Sequence, residues 1–375
     1  MHVIKLGDEW GPEKILEIHD AASGLNAVTV IDSTALGPAK GGIRMTPTVD
    51  VEEVFRLART MTWKCSIAGL PFGGGKSGIV FDPKAHPEKK KQVMVAFGKA
   101  LKNIAPKMYI AAPDVATGEE EMRWLVEGNG NPKCTTGKPK DLGGLPHELG
   151  STGFGVAHAA AVAAKFKRMP MKDVTFAVEG FGNVGSFVAK FLTDWGAKLV
   201  AASDSKGCMY NREGIDFAKL SEVKRSKGTV VNYNPGEKLD GEKIFELPVD
   251  ILIPAALPDV ITPANVNNIH AKIVVAGGNI VMKEAEEQRL HERGILVVPD
   301  FVANAGGVIS SYAEYRSYDE QRMFTLVEKK VKKNTRVVLK DAKNKGWMPR
   351  KAAEEIAKKR VKEGMQKEKI KNNSF

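Results

Sequence analysis

The stretch Val174-Thr-Phe-Ala-Val-Glu-Gly-Phe-Gly-Asn-Val-Gly185 decides the fold of the second half of this chain. Its first five residues suit a buried strand, and its glycines follow the pattern Gly-x-Gly-x-x-Gly. An amphipathic helix comes next, and then a second strand, Lys198-Leu-Val-Ala-Ala-Ser-Asp204. Because the glycines stand between strand and helix, and an acidic residue ends the next strand, the pattern predicts a dinucleotide-binding turn and disfavours an accidental tight turn.

The residues of this turn have separate predicted roles. The glycines allow a pyrophosphate to reach the helix N-terminus, where free N–H groups and the helix dipole favour an anion. Asp204 is predicted to accept hydrogen bonds from the adenosine ribose. The cofactor is predicted to be NAD or NADP, because Asp204 disfavours a 2′-phosphate whereas the neighbouring Ser203, Ser205 and Lys206 could accept one.

Strands and helices continue to alternate on the C-terminal side of this turn. Apolar strands are predicted at 249–254, 272–276 and 295–299, each followed by small residues or asparagine. This alternation predicts an α/β fold with a doubly wound parallel sheet. The chain after Val308 is predicted to be helical, and Pro349 is well placed to begin a final helix.

The N-terminal part of the chain is also predicted to be α/β. Its apolar periodicity predicts strands at 26–32, 77–82 and 108–112 and helices at 12–22, 51–62 and 92–104. A segment rich in glycine and proline, from 127 to 150, then predicts a hinge. The 375 residues are therefore expected to form two domains.

The composition argues against several classes of protein. Hydrophobic residues make up 43% and charged residues 27%, as in soluble globular proteins, and no apolar run is long enough to cross a bilayer. The cysteines, Cys65, Cys134 and Cys208, are scattered and odd in number, which favours the reducing cytoplasm and argues against disulfides. Since no two histidines have the spacing His-x-x-x-His, no metal site is predicted.

The net charge of +11 allows two interpretations. A basic surface could bind nucleic acid, or it could attract dinucleotides and dicarboxylates. Much of the excess lies after Lys329, where charged and apolar residues alternate at helical spacing and no nucleic-acid motif accompanies them. Solvated helix faces are the favoured interpretation, and nucleic-acid binding is kept as an alternative from a different class.

Three lysines close to glycines are candidates for binding an anion. Lys64 and Lys76 lie on either side of an apolar segment and a triple glycine, and Lys40 lies upstream in Gly-Pro-Ala-Lys-Gly-Gly. A lysine in a partly dry pocket has a lowered pKa and can act as a base near neutrality. We predict that the three line one pocket for an anionic substrate, although each alone is more often a solvated loop residue. The sequence is not a phosphate loop, because Leu70 stands where the first glycine is required.

Asp114 is a further candidate for chemistry. It follows a predicted strand, and the carboxyl ends of strands are where α/β sheets commonly bind ligands. A carboxylate close to lysines is ionised and suited to proton transfer. The alternative is that Asp114 only caps a helix predicted at 117–128, and both interpretations remain open at this point.

The order of seven motifs resembles that of the glutamate/leucine/phenylalanine/valine dehydrogenase family, over roughly the segment from Ile15 to Tyr315. The motifs are Gly-Pro-Ala-Lys-Gly-Gly-Ile-Arg, Met-Thr-Trp-Lys, Pro-Phe-Gly-Gly-Gly-Lys, Ala-Pro-Asp-Val, Thr-Gly-Lys-Pro, Gly-Phe-Gly-Asn-Val-Gly and Asn-Ala-Gly-Gly-Val. Members reversibly deaminate an L-amino acid to a 2-oxo acid and ammonia with NAD or NADP. The resemblance implies two domains that close on an active-site cleft between them, in a homo-oligomer that would be a hexamer.

The resemblance also implies the roles of the domains. Residues 1–143 would be an α/β substrate-binding, catalytic and oligomerisation domain. Residues 144–346 would be a Rossmann-type NAD(P)-binding domain, and 347–375 a C-terminal helix that packs back on the first domain.

The roles of single residues follow from the matching motifs. Lys76 would activate the attacking water and stabilise the carbinolamine, and Asp114 would move protons at the amino nitrogen. Lys64 would pair with the substrate's α-carboxylate, while Met61 and Thr136 would line its pocket. The residues implied to contact the cofactor are Thr152, Gly180, Gly182, Asn183, Val184, Gly185, Asp204, Asn279 and Asn304.

Two positions indicate the substrate. Lys40 stands where glutamate-specific members have a lysine for the side-chain carboxylate, and Ser311 matches a serine that helps to bind the same group; leucine-type members have apolar residues there. L-Glutamate, 2-oxoglutarate and ammonium are therefore the expected substrates. The alternatives are a branched-chain amino-acid dehydrogenase and a catalytically silent dinucleotide-binding protein. Two motifs depart from the family pattern, Ala276-Gly-Gly-Asn279 and Ser151-Thr-Gly-Phe-Gly155.

Overall fold

A computed structural model describes residues 7–146 and 149–372 of the chain. The described residues fall into two compact units. Unit 1 comprises those within Met1–Leu149, Val308–Met323 and Glu354–Phe375, and unit 2 comprises Gly150–Gly307 and Phe324–Ala353. The predicted boundary at residue 143 lies close to the end of the first segment of unit 1, at Leu149. The prediction differs in assigning residues 308–323 to the dinucleotide-binding domain. These residues belong to unit 1 because Glu314 forms a buried ion pair with Lys138.

Unit 1 is built on a mixed sheet whose strands run in the order β1-β2-β5-β3-β6, with β4 also paired to β5. Strands β1, β2 and β5 are antiparallel neighbours, whereas β3 and β4 lie parallel to β5. The strands are β1 (Lys14–Asp20), β2 (Leu25–Ser33), β3 (Ala39–Lys40), β4 (Ile43–Thr46), β5 (Gly73–Val80) and β6 (Tyr109–Ile110), and the helices are α1 (Val51–Ile67), α2 (Lys90–Ala100) and α3 (Glu119–Asn129).

The helix predicted at 12–22 is wrong, because this segment is strand β1. Its side chains alternate between two cores, with Leu16 and Ile18 packed against one cluster and Ile15 against another. A strand sends successive side chains to opposite faces, so this segment buries apolar groups on both sides of the sheet. Pairing with β2 along the whole segment decides the outcome, and local periodicity cannot reveal that pairing.

The triple glycine belongs to strand β5, which begins four residues before the predicted strand at 77–82. A Cβ atom on Gly73 would lie 1.8 Å from the Ser33 carbonyl oxygen, and one on Gly74 would lie 2.2 Å from the Thr62 amide nitrogen. A larger residue at position 74 would therefore separate α1 from β5, and one at position 73 would separate β5 from the end of β2. The glycines bring the helix that carries Lys64 directly against the strand that carries Lys76.

Unit 2 contains a sheet in the order β10-β9-β8-β7-β11-β12-β13. Strands β8, β7, β11, β12 and β13 are parallel, which confirms the predicted α/β fold with a doubly wound Rossmann-type sheet, while β9 and β10 form an antiparallel extension that the sequence did not predict. The strands are β7 (Thr175–Glu179), β8 (Lys198–Asp204), β9 (Gly207–Tyr210), β10 (Glu237–Leu239), β11 (Ile251–Pro254), β12 (Ile273–Val275) and β13 (Leu296–Val298).

The remaining helices carry or support the site residues. They are α4 (Ser151–Phe166), α5 (Asn183–Asp194), α6 (Phe217–Lys227), α7 (Glu284–Glu292), α8 (Asp300–Ala303), α9 (Gly306–Tyr315), α10 (Glu320–Lys345) and α11 (Pro349–Asn372). Within the described chain, none of the helices has both the length and the apolar character needed to cross a membrane.

Helix α11 begins at Pro349, as the sequence predicts, and contacts the end of α1. The Arg360 guanidinium donates to the carbonyl oxygens of Ser66, at 2.7 Å, and Ile67, at 3.0 Å. The Ser66 hydroxyl in turn donates to the Ala357 carbonyl oxygen. Because the last carbonyls of a helix have no partners within it, Arg360 completes the hydrogen bonding of the helix that carries Lys64.

Candidate active site

A cluster of two cations and a carboxylate lies at one end of the unit 1 sheet. The Lys76 ammonium lies 3.1 Å from Oδ2 of Asp114, and the Arg44 Nε donates to the same oxygen at 2.9 Å. Arg44 also pairs with Glu53. Only 6% of the Lys76 side chain is exposed, whereas 23% of the Asp114 side chain remains accessible.

Strand pairing brings these residues together. Strand β4 lies parallel to β5, so that Arg44 pairs with Gly78, two residues beyond Lys76. A Cβ atom on Gly42 would lie 2.8 Å from that of Asp114 and 3.2 Å from the Lys76 nitrogen. Glycine at position 42 is therefore required for Asp114 to approach the lysine.

Asp114 does not cap a helix, so the alternative role predicted for it as an N-cap is wrong. Helix α3 begins at Glu119 with Gly118 as its N-cap, and the Glu121 carboxylate accepts from the Gly118 amide. Asp114 instead begins a turn closed by Thr117, whose hydroxyl accepts from the Asp114 amide and donates to the Ile43 carbonyl. The carboxylate is left to interact with Lys76 and Arg44.

Burial and the neighbouring charges set the protonation of this pair. Burial lowers the pKa of Lys76, and the Asp114 carboxylate opposes that effect without cancelling it. Burial alone would raise the pKa of Asp114, but the charges and hydrogen bonds of Lys76 and Arg44 outweigh it and bring the pKa below its ordinary value. The cluster thus combines an amine that loses its proton more readily than usual with an ionised carboxylate.

Lys40 is almost completely buried, with 1% of the residue exposed. Its ammonium donates to the carbonyl oxygens of Ala111, at 2.7 Å, and Ile110, at 3.4 Å. Burial lowers the pKa of Lys40 to about 7. An ammonium group has three donors, so these two carbonyls leave one donor available for a further acceptor.

A second buried ion pair, missed by the sequence analysis, joins Lys138 to Glu314. The Lys138 ammonium lies 2.6 Å from Oε1 of Glu314 and also donates to the Thr135 carbonyl. Oε2 of Glu314 accepts from the amides of Gly137 and Leu145. The partners are 176 residues apart, so no local pattern could have indicated the pair.

This pair connects the other predicted substrate residues. Thr136 lies in the loop held by Glu314, and its buried hydroxyl has no hydrogen-bond partner in the structure. Ser311 precedes Glu314 by three positions, on the same face of α9. Met61 and Lys64 are half-buried on α1. All four therefore lie in unit 1, together with Lys40 and Lys76.

Replacing Glu314 by glutamine should destabilise the protein. The change would leave the Lys138 ammonium buried without a counter-charge, which typically costs about 3–5 kcal/mol. Chemical denaturation should show a correspondingly lower midpoint. The matched control is Glu355→Gln, which breaks the exposed pair with Lys358 and should cost at most about 1 kcal/mol. Equal effects of the two changes would contradict the importance of the buried pair.

In unit 2 the glycine-rich turn follows β7, where the strand order reverses between β8 and β11. Such reversals are the points at which open α/β sheets bind ligands. Gly180 has a φ of +87°, and a Cβ there would lie 2.5 Å from that of Ala256. A Cβ on Gly185 would lie 2.0 Å from the Gly180 oxygen, whereas one on Gly182 would meet nothing within 4 Å. Gly180 and Gly185 therefore pack closely against neighbouring atoms of the protein, whereas the space beside Gly182 is open. Gly182 directly precedes Asn183 and Val184, the first residues of α5, so a pyrophosphate can approach the N-terminus of this helix.

The other predicted cofactor residues of unit 2 form a polar group around Asn304. Its side-chain nitrogen donates to the Asn279 side chain at 2.9 Å and to the Gly278 carbonyl at 3.1 Å. The Asn304 side-chain oxygen is buried without a hydrogen-bond partner in the structure. Thr152 lies against Gly307, three residues after Asn304, because a Cβ atom on Gly307 would lie 2.9 Å from the Thr152 hydroxyl. An unpaired buried acceptor fits a site that a polar ligand completes.

Asp204 has a different environment from the predicted one. One carboxylate oxygen accepts from the Lys206 amide and the Thr229 hydroxyl, and the other from the Lys224 ammonium and the Val230 amide. A carboxylate has about four acceptor positions, and these four bonds occupy them. Only 6% of the side chain is exposed. The predicted hydrogen bonds to the ribose would therefore require one of the existing bonds to break.

Metal binding has no support in the described part of the chain, where no group of three or more histidine, cysteine, aspartate or glutamate residues could hold an ion.

Comparison with known families matches both parts of the chain. A family model described as Glu/Leu/Phe/Val dehydrogenase, dimerisation domain, matches residues 12–129, and one described as Glutamate/Leucine/Phenylalanine/Valine dehydrogenase matches 143–368.

Individual relatives agree with these matches. The chain is 44% identical to glutamate dehydrogenase from Aeropyrum pernix over 82% of this chain and 77% of the relative. It is 41% identical to NADP-specific glutamate dehydrogenase from Saccharolobus shibatae over 76% of this chain and 69% of the relative. The crystal structure of glutamate dehydrogenase from Peptoniphilus asaccharolyticus superposes with a TM-score of 0.82 at 32% identity, covering 95% of this chain and 91% of that one.

Proposed function

Because the chain belongs to the glutamate/leucine/phenylalanine/valine dehydrogenase family, we propose that it catalyses the reversible oxidative deamination of L-glutamate to 2-oxoglutarate and ammonia, with NAD or NADP. The observation that carries the proposal is the pair of Lys76 and Asp114, held 3.1 Å apart in a largely dry site. An amine with a lowered pKa beside an ionised carboxylate supplies the two proton-transfer groups that the reaction needs.

In the proposed mechanism, bound NAD or NADP supplies the acceptor for the hydride that leaves the α-carbon. Lys76 in its neutral form takes a proton from the water that attacks the resulting imine carbon. Once protonated, Lys76 stabilises the negative charge that develops on the carbinolamine oxygen. Asp114, which starts ionised, takes a proton from the substrate ammonium before the hydride leaves and returns it to the amino nitrogen of the carbinolamine. Ionised again, Asp114 accepts the proton of the carbinolamine hydroxyl as ammonia leaves. Arg44 keeps the carboxylate oriented toward the lysine.

We propose that Lys40 and Ser311 select the dicarboxylate. A buried ammonium costs free energy unless it has an anionic partner, and a substrate side-chain carboxylate would supply one. Lys64, Met61 and Thr136 are proposed to hold the rest of the substrate, with Lys64 at the α-carboxylate. Thr152, Asn279 and Asn304 are proposed to contact the cofactor.

A reductive amination assay tests the proposed function. Purified protein is supplied with ammonium, NADH or NADPH, and a panel that contains 2-oxoglutarate, 2-oxo-4-methylpentanoate and pyruvate. The expected result is that kcat/KM is highest for 2-oxoglutarate. A preference for the branched acid would identify the branched-chain alternative, and no turnover with any oxo acid would contradict the proposal.

The pH dependence of inhibitor binding is expected to report on Lys40. Its pKa of about 7 means that the ammonium predominates below pH 7 and the neutral amine above it. Only the ammonium attracts a side-chain carboxylate, so the Ki of glutarate should rise by up to about tenfold per pH unit above 7. Pentanoate, which lacks the second carboxylate, is the matched control and should show a shallower dependence. Parallel curves for both acids would contradict the assignment of Lys40.

We also propose a homo-oligomer, and a hexamer by resemblance to the family. The matched dimerisation-domain model covers residues 12–129 of unit 1, and among the described residues β1 is an edge strand of the unit 1 sheet, with one side open to pairing. Light scattering on the purified protein measures the mass directly. A cytoplasmic location is proposed because Cys65, Cys134 and Cys208 are all buried free thiols.

A further inference from the structure

A basic cavity of about 310 Å³ opens beside the glycine-rich turn, between α5 and α6. Phe181 and Gly182 of the turn line one side of it. Its other lining residues include three cations, Lys190, Lys224 and Arg225, and the described residues that line it include no acid. Three phenylalanines, Phe181, Phe187 and Phe217, also line the cavity, so it offers apolar faces for a ring and cations for a further phosphate group of the same ligand.

A buried hydroxyl supports this interpretation. The Oγ atom of Ser221, which also lines the cavity, is shielded from solvent and has no hydrogen-bond partner in the structure. A buried polar group without a partner is costly, and native proteins usually satisfy such groups. Rotation of the Ser221 side chain toward the cavity would allow this hydroxyl to donate a hydrogen bond to a phosphate oxygen there.

The acid that ends β8 does not oppose a phosphate here. An exposed carboxylate at this position would hydrogen-bond an unmodified ribose and repel a 2′-phosphate. Asp204 is instead buried, with both oxygens saturated by the surrounding loop, and its charge is paired with Lys224 at 2.7 Å. The Lys224 ammonium donates to Asp204 and to the Gly228 carbonyl, which leaves its third donor available.

The other two cations are also oriented by their own helices. Lys190 pairs with Asp194 on α5, and Arg225 pairs with Glu222 on α6. Both pairs are exposed to solvent, so their attraction is weak and does not prevent either cation from contacting a phosphate.

We propose that this cavity binds the 2′-phosphate of NADP(H), with Ser221, Lys224 and Arg225 as its donors, so that the chain prefers NADP over NAD. The proposal rests on the proposed function and extends it to the choice of cofactor. It assigns Asp204 to holding the loop from 224 to 230, where the sequence had predicted contact with the ribose.

The test compares two probes that differ only in the phosphate concerned. Adenosine 2′,5′-bisphosphate and adenosine 5′-monophosphate are titrated into the full-length protein by calorimetry. One charge-assisted hydrogen bond gives a difference of about 10- to 100-fold, so the bisphosphate should bind wild type at least about tenfold more tightly. Measured kcat/KM for NADPH and NADH should differ in the same direction.

Variants assign the effect to the cavity. Ser221→Ala and Arg225→Met should each weaken binding of the bisphosphate by about tenfold while leaving the monophosphate unchanged. Because Lys224→Met alone would strand a buried carboxylate, Lys224 is tested in the double variant Lys224→Met with Asp204→Asn. Lys227→Met, which removes an exposed cation of the same helix outside the cavity, is the matched control and should bind both probes as wild type does.

The outcomes separate the two proposals. Equal affinity of wild type for the two probes, or equal weakening of both by the cavity variants, overturns the assignment of the phosphate site and leaves the dehydrogenase proposal intact. If neither probe binds and neither dinucleotide supports turnover, the proposed function fails together with this inference.

Discussion

Lys76→Ala is expected to lower kcat for reductive amination by about 10²-fold or more, the scale of a lost acid–base or charge-stabilising group. The lysine is the one amine held against Asp114, at 3.1 Å, in a site with little access to water. Removing it leaves no group at that position to return a proton to the departing water, which in the amination direction reverses the step that takes a proton from the attacking water. Steady-state kinetics with 2-oxoglutarate and saturating ammonium measure the effect.

The control for this prediction is Lys107→Ala, which removes an exposed lysine of the same unit and should leave kcat unchanged. Thermal unfolding shows whether the Lys76 variant is folded, and Arg44 remains to pair with Asp114 in that variant. Asp114→Asn should also reduce kcat strongly, since the amide cannot carry the proton. Near wild-type turnover of a folded Lys76→Ala protein would contradict the mechanism.

The second large effect is expected on substrate choice. In the double variant Lys40→Leu with Ser311→Val, kcat/KM for 2-oxoglutarate should fall by orders of magnitude. A charge-assisted hydrogen bond contributes about 1.5–3 kcal/mol, and a carboxylate stranded in an apolar pocket adds a desolvation cost of its own. Activity on 2-oxo-4-methylpentanoate should fall far less, because that substrate has no carboxylate to strand.

Both oxo acids are therefore measured in both proteins, with the KM for ammonium as an internal control that should not change. Equal losses of the two activities would contradict the specificity assignment, since they would indicate a general disturbance of the site. In that case the family assignment and the mechanism at Lys76 would be unaffected.

The parts of the fold that local sequence encodes were predicted well. The glycine-rich turn, the parallel strands of unit 2 and the start of α11 at Pro349 each depend on patterns within a few residues. Strand β1 was predicted wrongly because its partner β2, rather than its own periodicity, decides its conformation. The antiparallel strands β9 and β10 were missed because they are short and lack strong apolar alternation.

Some features of the candidate site could likewise be predicted from local sequence, and others depend on contacts made only in the tertiary fold. The closeness of Lys76 and Asp114 followed from motif order, and the structure supplies the distance. Glu314 could not be found, because it meets Lys138 only through the tertiary fold. The saturation of Asp204 depends on Lys224, Thr229 and Val230, whose positions are set by the end of α6. Spacing indicated an acid at the end of β8 but gave no information about its partners.

Unit 1 is assembled from three segments that are far apart in the sequence, and this affects how the protein folds during synthesis on the ribosome. Lys138 leaves the ribosome 176 residues before Glu314, which at about 5–20 residues per second is a delay of about 10–35 s. Arg360, which completes the end of α1, emerges later still. The first 149 residues must therefore wait, with a charge and helix carbonyls unpaired, while the whole of Gly150–Gly307 is synthesised. In a ribosome-bound chain that ends before Glu314, the first 149 residues should be readily cleaved by protease, and in a chain whose exposed part extends beyond Arg360 they should be protected.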